Sequence, residues 1–306
     1  MLNYNNIKDK RQWKSTIGMN ESQFNDLTQQ FAESYVTVNG VEISEASKRL
    51  DRDFLLPGYA DCLFFILFQL KNALTYDSLG FLIGTDGSNA RRNFEKYLNI
   101  LDHALIRLGH TPKRSFIDKD DFKNHLPKEA DIIIDVTEHS IERPSDNQEQ
   151  KDNYSGKKKL HTRKELIISD KNKKIIYISN SHKGKEHDFS ILKAEFPPQV
   201  DWFDSFTVRV DLGFQGMSDI YKCKDIIIPV KKKRKAKGVS NELSEVDKDY
   251  NKICAKERIY VEHSIGGLKR YRILVNRNRS KSEGIFDQTV GICAGLWNLS
   301  LKNLTN

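Results

Sequence analysis

Residues 131–136 read DIIIDV and show the pattern that recurs through the second half of the chain. Three consecutive isoleucines are typical of a buried β-strand, because β-branched side chains favour extended backbone. Four other short stretches share this pattern: ELIIS (165–169), KIIYIS (174–179), TVRVDL (207–212) and DIIIPV (225–230). The second and third of these five stretches, joined by DKNKK, predict a β-hairpin, and EHDFSILKAEF (186–196) predicts a helix. Strands interleaved with helices predict an α/β or α+β domain with a mixed sheet.

The first 110 residues or so have helical periodicity instead. Phe24, Leu27 and Phe31 recur at helical spacing, and CLFFILFQL (62–70) predicts a buried helix. GTDG (84–87) separates a short helix from a longer one whose apolar face is Phe94, Leu98, Leu101, Leu105 and Leu108. Two helices joined by a Gly-containing turn predict a helix-turn-helix, although a plain helical packing unit gives the same pattern. If the pair binds DNA, its second helix would present Ser88, Asn89, Arg91 and Arg92.

This change of pattern predicts two domains. A helical DNA-binding domain over residues 1–112 would be followed by a polar linker over 113–130 and an α/β domain over 131–306. Two hydrophilic stretches, 139–159 and 231–252, interrupt the second domain and contain lysine runs. Each run is either a solvated loop or a group of cations that binds phosphates.

The composition favours some kinds of binding partner over others. The formal net charge is +8 with a pI near 9.1, which favours an anionic partner, nucleic acid before a membrane surface. Four widely spaced cysteines without a CxxC pair argue against a zinc site or a disulfide framework and fit a reducing, cytoplasmic compartment. No apolar run approaches the roughly 20 residues that span a bilayer, and the N-terminus lacks the apolar region of a secretory signal.

Three acidic residues stand in apolar surroundings. Asp135 and Asp211 lie at or near the ends of predicted strands, and Glu262 lies in the helical stretch IYVEHSIGGLKRYRIL (259–274). A buried carboxylate is costly unless it is paired, although a single Asp at this place often only caps a turn. Together, the three could converge at one sheet edge and bind two Mg²⁺ or Mn²⁺ ions, which prefer hard oxygen ligands. Two groups of cations would then bind the DNA backbone: Lys269, Arg270 and Arg272, and Lys157, Lys158 and Lys159.

Linked motifs in the second half resemble those of the DDE transposases of bacterial insertion sequences, in the group of insertion sequence family five related to Harbinger transposases. DIIIDVTEHSIERP resembles the first-aspartate strand, and VDLGFQG (210–216) resembles the second-aspartate turn. YSGKKKLHTRK (154–164), KGKEHDFSIL (183–192) and RIYVEHSIGGLKRYRIL (258–274) are similar to the basic strand entry, the His-Asp segment and the glutamate helix. Departures are Val-Thr-Glu where Gly-Thr is common and Leu-Gly-Phe where Lys/Ser-Gly-Tyr is common. Neither departure touches the three acids.

The resemblance implies a ribonuclease H-like catalytic domain preceded by a helix-turn-helix domain. It implies that Asp135, Asp211 and Glu262 form the catalytic, metal-binding triad, with His187 and Asp188 as direct or supporting neighbours. The expected reaction cleaves DNA at the element's terminal inverted repeats, freeing a 3′-hydroxyl that is transferred to target DNA. The expected partners are element ends and target DNA, bound by a homo-oligomer at the nucleoid, without a membrane or a small-molecule substrate.

Two other functions fit much of the same sequence. A transposase-derived DNA-binding protein would keep the recognition domain without cleavage, but binding alone does not require three acids. A structure-specific nuclease would cut DNA without joining it and would have no preference for particular ends.

Overall fold

The chain forms two compact units. The structure, a computed structural model, describes residues 2–51, 54–126, 130–232, 242–280 and 282–301. Unit 1 comprises Met1–Thr111 and Leu268–Asn306, and unit 2 comprises Pro112–Gly267. No described helix is long and apolar enough to cross a membrane.

Unit 1 is built from helices, as the sequence predicts for its first part. The helices are α1 (Lys10–Ile17), α2 (Glu21–Asn39), α3 (Ile43–Arg49), α4 (Tyr59–Asn72), α5 (Tyr76–Ile83), α6 (Gly87–Arg107) and α11 (Glu283–Leu301). The predicted face of α2 is confirmed, since Phe24, Leu27 and Phe31 are buried. The predicted buried helix is α4, which runs through the apolar stretch 62–70.

A three-residue turn joins α5 to α6. Gly84, with φ at 85°, ends α5, and the Asp86 side chain accepts a hydrogen bond from the Asn89 backbone N–H at the start of α6. The two helices approach closely beside the turn, because a Cβ on Gly87, the first residue of α6, would lie 3.0 Å from the Asp77 backbone nitrogen of α5. The predicted pair of helices is therefore present, and its binding of DNA stays a prediction.

The last helix belongs to unit 1. Gly295 of α11 faces Leu105 of α6, and Asn298 Nδ2 donates to the His110 carbonyl oxygen at 2.9 Å. Cys293 and Trp297 of α11 are buried. The predicted domain of residues 131–306 thus differs from the compact units, because the apolar side chains of α11 pack in unit 1.

Unit 2 contains a mixed sheet, as predicted. Its strands are β1 (Asp131–Ser140), β2 (Tyr154–Ser155), β3 (Leu160–Asp170), β4 (Ile175–Ile178), β5 (His182–Lys183), β6 (Phe203–Arg209) and β7 (Cys223–Ile227). Their order is β2-β3-β1-β6-β7, with β4 and β5 also paired to β3. β1 is antiparallel to β3 and parallel to β6, which is parallel to β7. The predicted hairpin is the antiparallel pair β3–β4.

The described residues of unit 2 also form the α-helices α7 (Lys119–Asn124), α8 (Asn147–Asn153), α9 (Asp188–Glu195) and α10 (Glu245–Leu268). α9 confirms the predicted helix over 186–196. α8 lies within the predicted loop 139–159, where Asp146 caps its first turn and Lys183 and Lys185 bind the buried Asp152 carboxylate. In the second predicted loop, 231–252, residues 233–241 lie outside the described residues, and with them most of the lysine run 231–238.

The predicted linker 113–130 is part of unit 2. The Lys113 backbone N–H donates to the Ile176 carbonyl oxygen at 2.9 Å, so this segment joins the edge of the sheet beside β4. Phe122 of α7 is fully buried, with aromatic neighbours that include Phe196 and Trp202. The segment differs from a linker because these apolar side chains are inserted into the core of unit 2.

Candidate active site

The sheet register places Asp135 next to Asp211. β1 and β6 are parallel, and Ile133 of β1 pairs with Arg209 of β6. Two residues further along both chains come Asp135 and Asp211, which therefore lie on the same face, since side chains alternate along a strand. Asp135 lies in the middle of β1, two residues beyond its last pair with β6, and Asp211 lies two residues after the end of β6.

The environment of Asp135 disfavours a lone negative charge. Only 16% of its side chain is exposed. Burial raises the pKa of Asp135 to about 6, and the charges of Asp211 and Asp188 act in the same direction. The Val136 N–H, which donates to Oδ1 at 2.8 Å, and the guanidinium of Arg258, 3.7 Å from Oδ2, act in the opposite direction. A cation bound here would favour the ionised carboxylate.

Gly213 brings Asp211 close to Asp188. Asp211 caps a one-turn 3₁₀ helix, Leu212–Phe214, through a hydrogen bond from Gly213 N–H to Oδ1 at 2.7 Å. A Cβ on Gly213 would lie 2.8 Å from Asp211 Oδ1 and 3.3 Å from Asp188 Oδ2. Two carboxylates thus flank this backbone, and a side chain at residue 213 would push one of them away.

Asp188, at the first position of α9, is neutralised by Lys164. The Lys164 Nζ donates to Asp188 Oδ1 at 2.9 Å and to the Glu186 carbonyl oxygen at 2.7 Å. The side chains of Lys164 and Asp188 are 13% and 23% exposed, so the pair is only weakly screened by water. His187 precedes α9 as an exposed residue whose side chain makes no capping hydrogen bond. The structure therefore brings Asp188, rather than His187, to the two aspartates.

α10 crosses the same face of the sheet but presents Arg258 to Asp135. The helix is fixed by an ion pair between Arg209 and Glu257, and by Ser264 Oγ, which donates to the Lys173 carbonyl oxygen at 2.9 Å. Lys173 lies in the β3–β4 turn, close to the first residues of β1. α10 therefore runs antiparallel to β1, and Glu262 lies one turn beyond Arg258 towards the start of that strand. Glu262 is exposed.

The predicted triad is therefore assembled in part. Asp135 and Asp211 are neighbours, whereas no hydrogen bond or ion pair of the described residues involves Glu262. Within the described ranges, no group of three or more His, Cys, Asp or Glu side chains is placed to hold a metal ion. The carboxylates of Asp135, Asp188 and Asp211 are the donor type that Mg²⁺ and Mn²⁺ prefer, and the raised pKa of Asp135 fits a cation at this place. The metal-binding role of all three triad residues stays a prediction.

The predicted DNA contacts lie in both units. Ser88, Arg91 and Arg92 are exposed on the first turns of α6, where Arg91 is ion-paired with Glu95 at 2.8 Å. Asn89 is half-buried and donates to Thr85 Oγ1. The remaining predicted contacts are Lys157, Lys158 and Lys159, exposed in the turn before β3, and Lys269, Arg270 and Arg272, which follow α10. Their roles stay predictions.

Three neighbours of the aspartates are absent from the sequence-based prediction. Lys164 is the last residue of the basic motif 154–164, but its salt bridge with Asp188 depends on the sheet register. Arg258 precedes Glu262 by one helical turn, which could have placed both side chains on one helix face. Gly213 stands in the turn after Asp211, where only the fold reveals that a side chain would collide with two carboxylates.

Comparisons with known proteins identify the family of the chain. The family model of the DDE superfamily endonucleases matches residues 134–298, a range that contains Asp135, Asp188, Asp211 and Glu262. A relative from Microchaete diplosiphon, described as "Probable transposase for insertion sequence element IS702", is 33% identical over 230 residues, which are 74% of this chain and 75% of the relative. No solved structure gives a significant match. The chain therefore belongs to the DDE superfamily endonucleases, and within them to the transposases of insertion sequences.

Proposed function

We propose that the protein cleaves the terminal inverted repeats of its own element in a divalent-metal-dependent reaction and transfers the freed 3′-hydroxyl to target DNA. The observation that carries this proposal is the adjacency of Asp135, in the middle of β1, and Asp211, just after the parallel strand β6, within a DDE endonuclease domain. The proposal includes a ribonuclease H-like organisation of unit 2 and action as a homo-oligomer on paired DNA ends.

The aspartates would hold the ion from two neighbouring strands. A bound pair of Mg²⁺ or Mn²⁺ ions would stabilise the attacking and leaving oxygens of an in-line displacement at phosphorus. Asp135 and Asp211 are fixed by backbone N–H groups at 2.8 and 2.7 Å, so they need little reorganisation to bind a cation. Arg258 and Lys164 limit the repulsion among the three nearby aspartates.

Glu262 would complete the site only if α10 moves or rotates relative to the sheet. The residue at the corresponding place in this structure is Arg258, which pairs with Asp135. A bound metal ion would compete with Arg258 for the Asp135 carboxylate. A DNA phosphate would compete with Asp135 for the Arg258 guanidinium. We propose that Glu262 enters the site when Arg258 leaves Asp135.

Replacing either aspartate by its amide tests the central proposal. Labelled DNA carrying the element ends should be cut in the presence of Mg²⁺ and not in its absence. Asp135→Asn and Asp211→Asn should each lower the cleavage rate by about 100-fold or more, because an amide cannot supply the charge that holds the ion. Binding of the uncut ends, measured without Mg²⁺, should change little.

Asp219→Asn is the matched control, because Asp219 is an exposed aspartate of the same unit. Cleavage that persisted in Asp135→Asn or Asp211→Asn would remove that residue from the site. Products that are cut but never joined to target DNA would favour a structure-specific nuclease. End binding by the wild-type protein without any cleavage would favour a transposase-derived DNA-binding protein.

A further inference from the structure

Unit 1 contains a cavity that the proposed cleavage reaction does not use. Its volume is about 630 Å³, within the roughly 300–1,000 Å³ typical of small-molecule sites. It is lined by residues from the end of α4 to the middle of α6, and by the segment from Ile273 into α11. The cavity therefore shares the first turns of α6 with the predicted DNA-binding surface.

The rim of the cavity is cationic. Arg91, Arg277 and Arg279 line it and are exposed, and Glu95 is the acidic residue among the lining residues, so cations outnumber anions there. The Arg91–Glu95 pair is a surface salt bridge between side chains that are 58% and 34% exposed, so it contributes little and can be replaced. An anionic group at the rim would be attracted and could accept hydrogen bonds from the guanidinium groups.

The floor of the cavity is aromatic and buried. Phe94 and Phe286 are 1% and 4% exposed, and the Tyr76 ring lies 5.8 Å from the Phe94 ring at an angle of 58°. Burial raises the pKa of Tyr76 to about 12, which keeps its hydroxyl protonated and able to donate a hydrogen bond at neutral pH. A flat ligand with polar edges could pack against the Tyr76 ring, which is only partly buried and has Phe94 behind it.

The cavity wall is rigid at the end of α4. The buried Gln69 side chain donates to the Leu74 carbonyl oxygen at 2.8 Å and accepts from the Leu74 N–H at 3.2 Å. These two hydrogen bonds fix the turn that carries Ala73, Leu74 and Thr75, all of which line the cavity. A site whose wall is already ordered costs less conformational entropy when a ligand binds.

We propose that this cavity binds one unstacked nucleotide, with the base against the Tyr76 ring and the phosphate at Arg279. An aromatic ring beside a cationic rim matches a planar base joined to a phosphate. A bare phosphate would make no use of the ring, and an apolar molecule would make no use of the cationic rim. The nucleotide could be free in solution or belong to a DNA strand. The DNA source rests on the proposed function, whereas binding in the cavity does not depend on cleavage.

Two binding experiments without divalent ions distinguish the sources. Calorimetric titration with each of the four deoxynucleoside monophosphates measures the binding of a free nucleotide. Duplexes with a single-stranded end that carries 2-aminopurine measure the DNA source, since the fluorescence of this base changes when it leaves its stack for a protein cavity. We expect saturable binding in at least one arm, and inorganic phosphate at the same concentration should not displace the ligand.

Two variants locate the binding. Arg279→Ala should weaken it about ten-fold by removing a charge-assisted hydrogen bond. Asn276→Trp places a bulky ring at an exposed position of the lining and should abolish binding. Arg11→Ala, which removes an exposed arginine of α1, is the matched control and should bind like the wild type.

Saturable binding that is equal in the wild type, Arg279→Ala and Asn276→Trp would overturn the proposal, as would the absence of binding in both arms. If Asn276→Trp fails to fold, wild-type saturation and Arg279→Ala decide the matter. Nucleotide binding by a protein that does not cleave DNA would leave the cavity proposal standing and overturn the proposed function. Cleavage without nucleotide binding would do the reverse.

Discussion

Asp135, Asp188 and Asp211 place three carboxylates close together, where each is costly without a partner. Arg258 lies beside Asp135, and Lys164 neutralises Asp188. Lys164 reaches Asp188 because β3 and α9 are placed together by the fold, and no spacing in the sequence encodes that contact. Glu262 was predicted from the same reasoning as the aspartates, but its place on α10 depends on how the helix is rotated over the sheet.

Glu262 and Glu257 of α10 should respond differently to the same chemical change. Glu262→Gln should alter the free energy of unfolding by no more than about 0.5 kcal/mol, because the side chain is exposed. The same variant should lose Mg²⁺-dependent cleavage if the residue enters the site. Glu257→Gln removes the charge that pairs with the largely buried Arg209 and should cost about 1–3 kcal/mol. Urea unfolding and a cleavage assay on both variants provide the measurements.

A Glu262→Gln variant that is stable and fully active would exclude a catalytic role for Glu262. Loss of cleavage together with a large loss of stability would instead indicate a structural role.

At the level of elements, periodicity predicted most helices and strands, and the differences have identifiable causes. The stretch 225–230 ends as a strand at Ile227, two residues before Pro229, which cannot donate a backbone hydrogen bond to a ladder. The stretch 147–153 forms a helix inside a predicted loop, because Asp146 caps it and two lysines bind Asp152. The turn between α5 and α6 was predicted from its glycines, which permit the two helices to approach closely.

The first turns of α6 can be tested as a DNA-binding element. Replacing Arg91 and Arg92 together with Ala should weaken binding to element ends and reduce the slope of log K against log salt concentration by about two, one per lost phosphate contact. Fluorescence anisotropy at several salt concentrations measures both quantities. The double variant Arg11→Ala, Lys14→Ala removes the same charge from α1, where both side chains are exposed.

An identical affinity and salt slope in the wild type and the Arg91, Arg92 variant would show that α6 does not contact the DNA backbone. Equal weakening by the α1 control would indicate a general charge effect.

At the level of the whole molecule, the sequence predicted one helical part and one α/β part but misplaced their limits. Composition marks residues 113–130 as polar, yet Phe122 within them is a central residue of the unit 2 core. The apolar pattern of α11 shows that it is buried but not which unit covers it, because amphipathicity does not identify a partner. Its contacts with Leu105 and His110 assign it to unit 1.

The stability of unit 2 should depend on pH through His182 and Glu195. The His182 Nε2 lies 2.5 Å from Glu195 Oε1, and this hydrogen bond raises the pKa of His182 above its usual 6.5. The stabilisation from His182 is therefore complete below pH 6.5 and is lost as the pH rises through the folded-state pKa. Burial acts to raise the pKa of Glu195, but hydrogen bonds from His182 and Tyr177 bring it below its usual 4.5. The stabilisation from Glu195 is therefore lost as the pH falls below 4.5.

We expect the free energy of unfolding to be larger at pH 6 than at pH 8.5, as measured by urea unfolding followed through the buried Trp202 of unit 2. His182→Gln should be less stable at pH 6 and should lose most of this difference between the two pH values. An equal pH dependence in both proteins would assign the effect to other groups.

The packing of α11 against α6 has a consequence for how the chain is made. A ribosome completes residues 112–267 before it reaches α11, so unit 2 has its whole sequence available while unit 1 still lacks a helix. Until residues 283–301 emerge from the ribosome, the side of α6 around Leu105 is not covered by α11. It is then accessible to chaperones or to neighbouring nascent chains. Unit 1, which begins before unit 2 in the chain, can therefore be completed only after the sequence of unit 2.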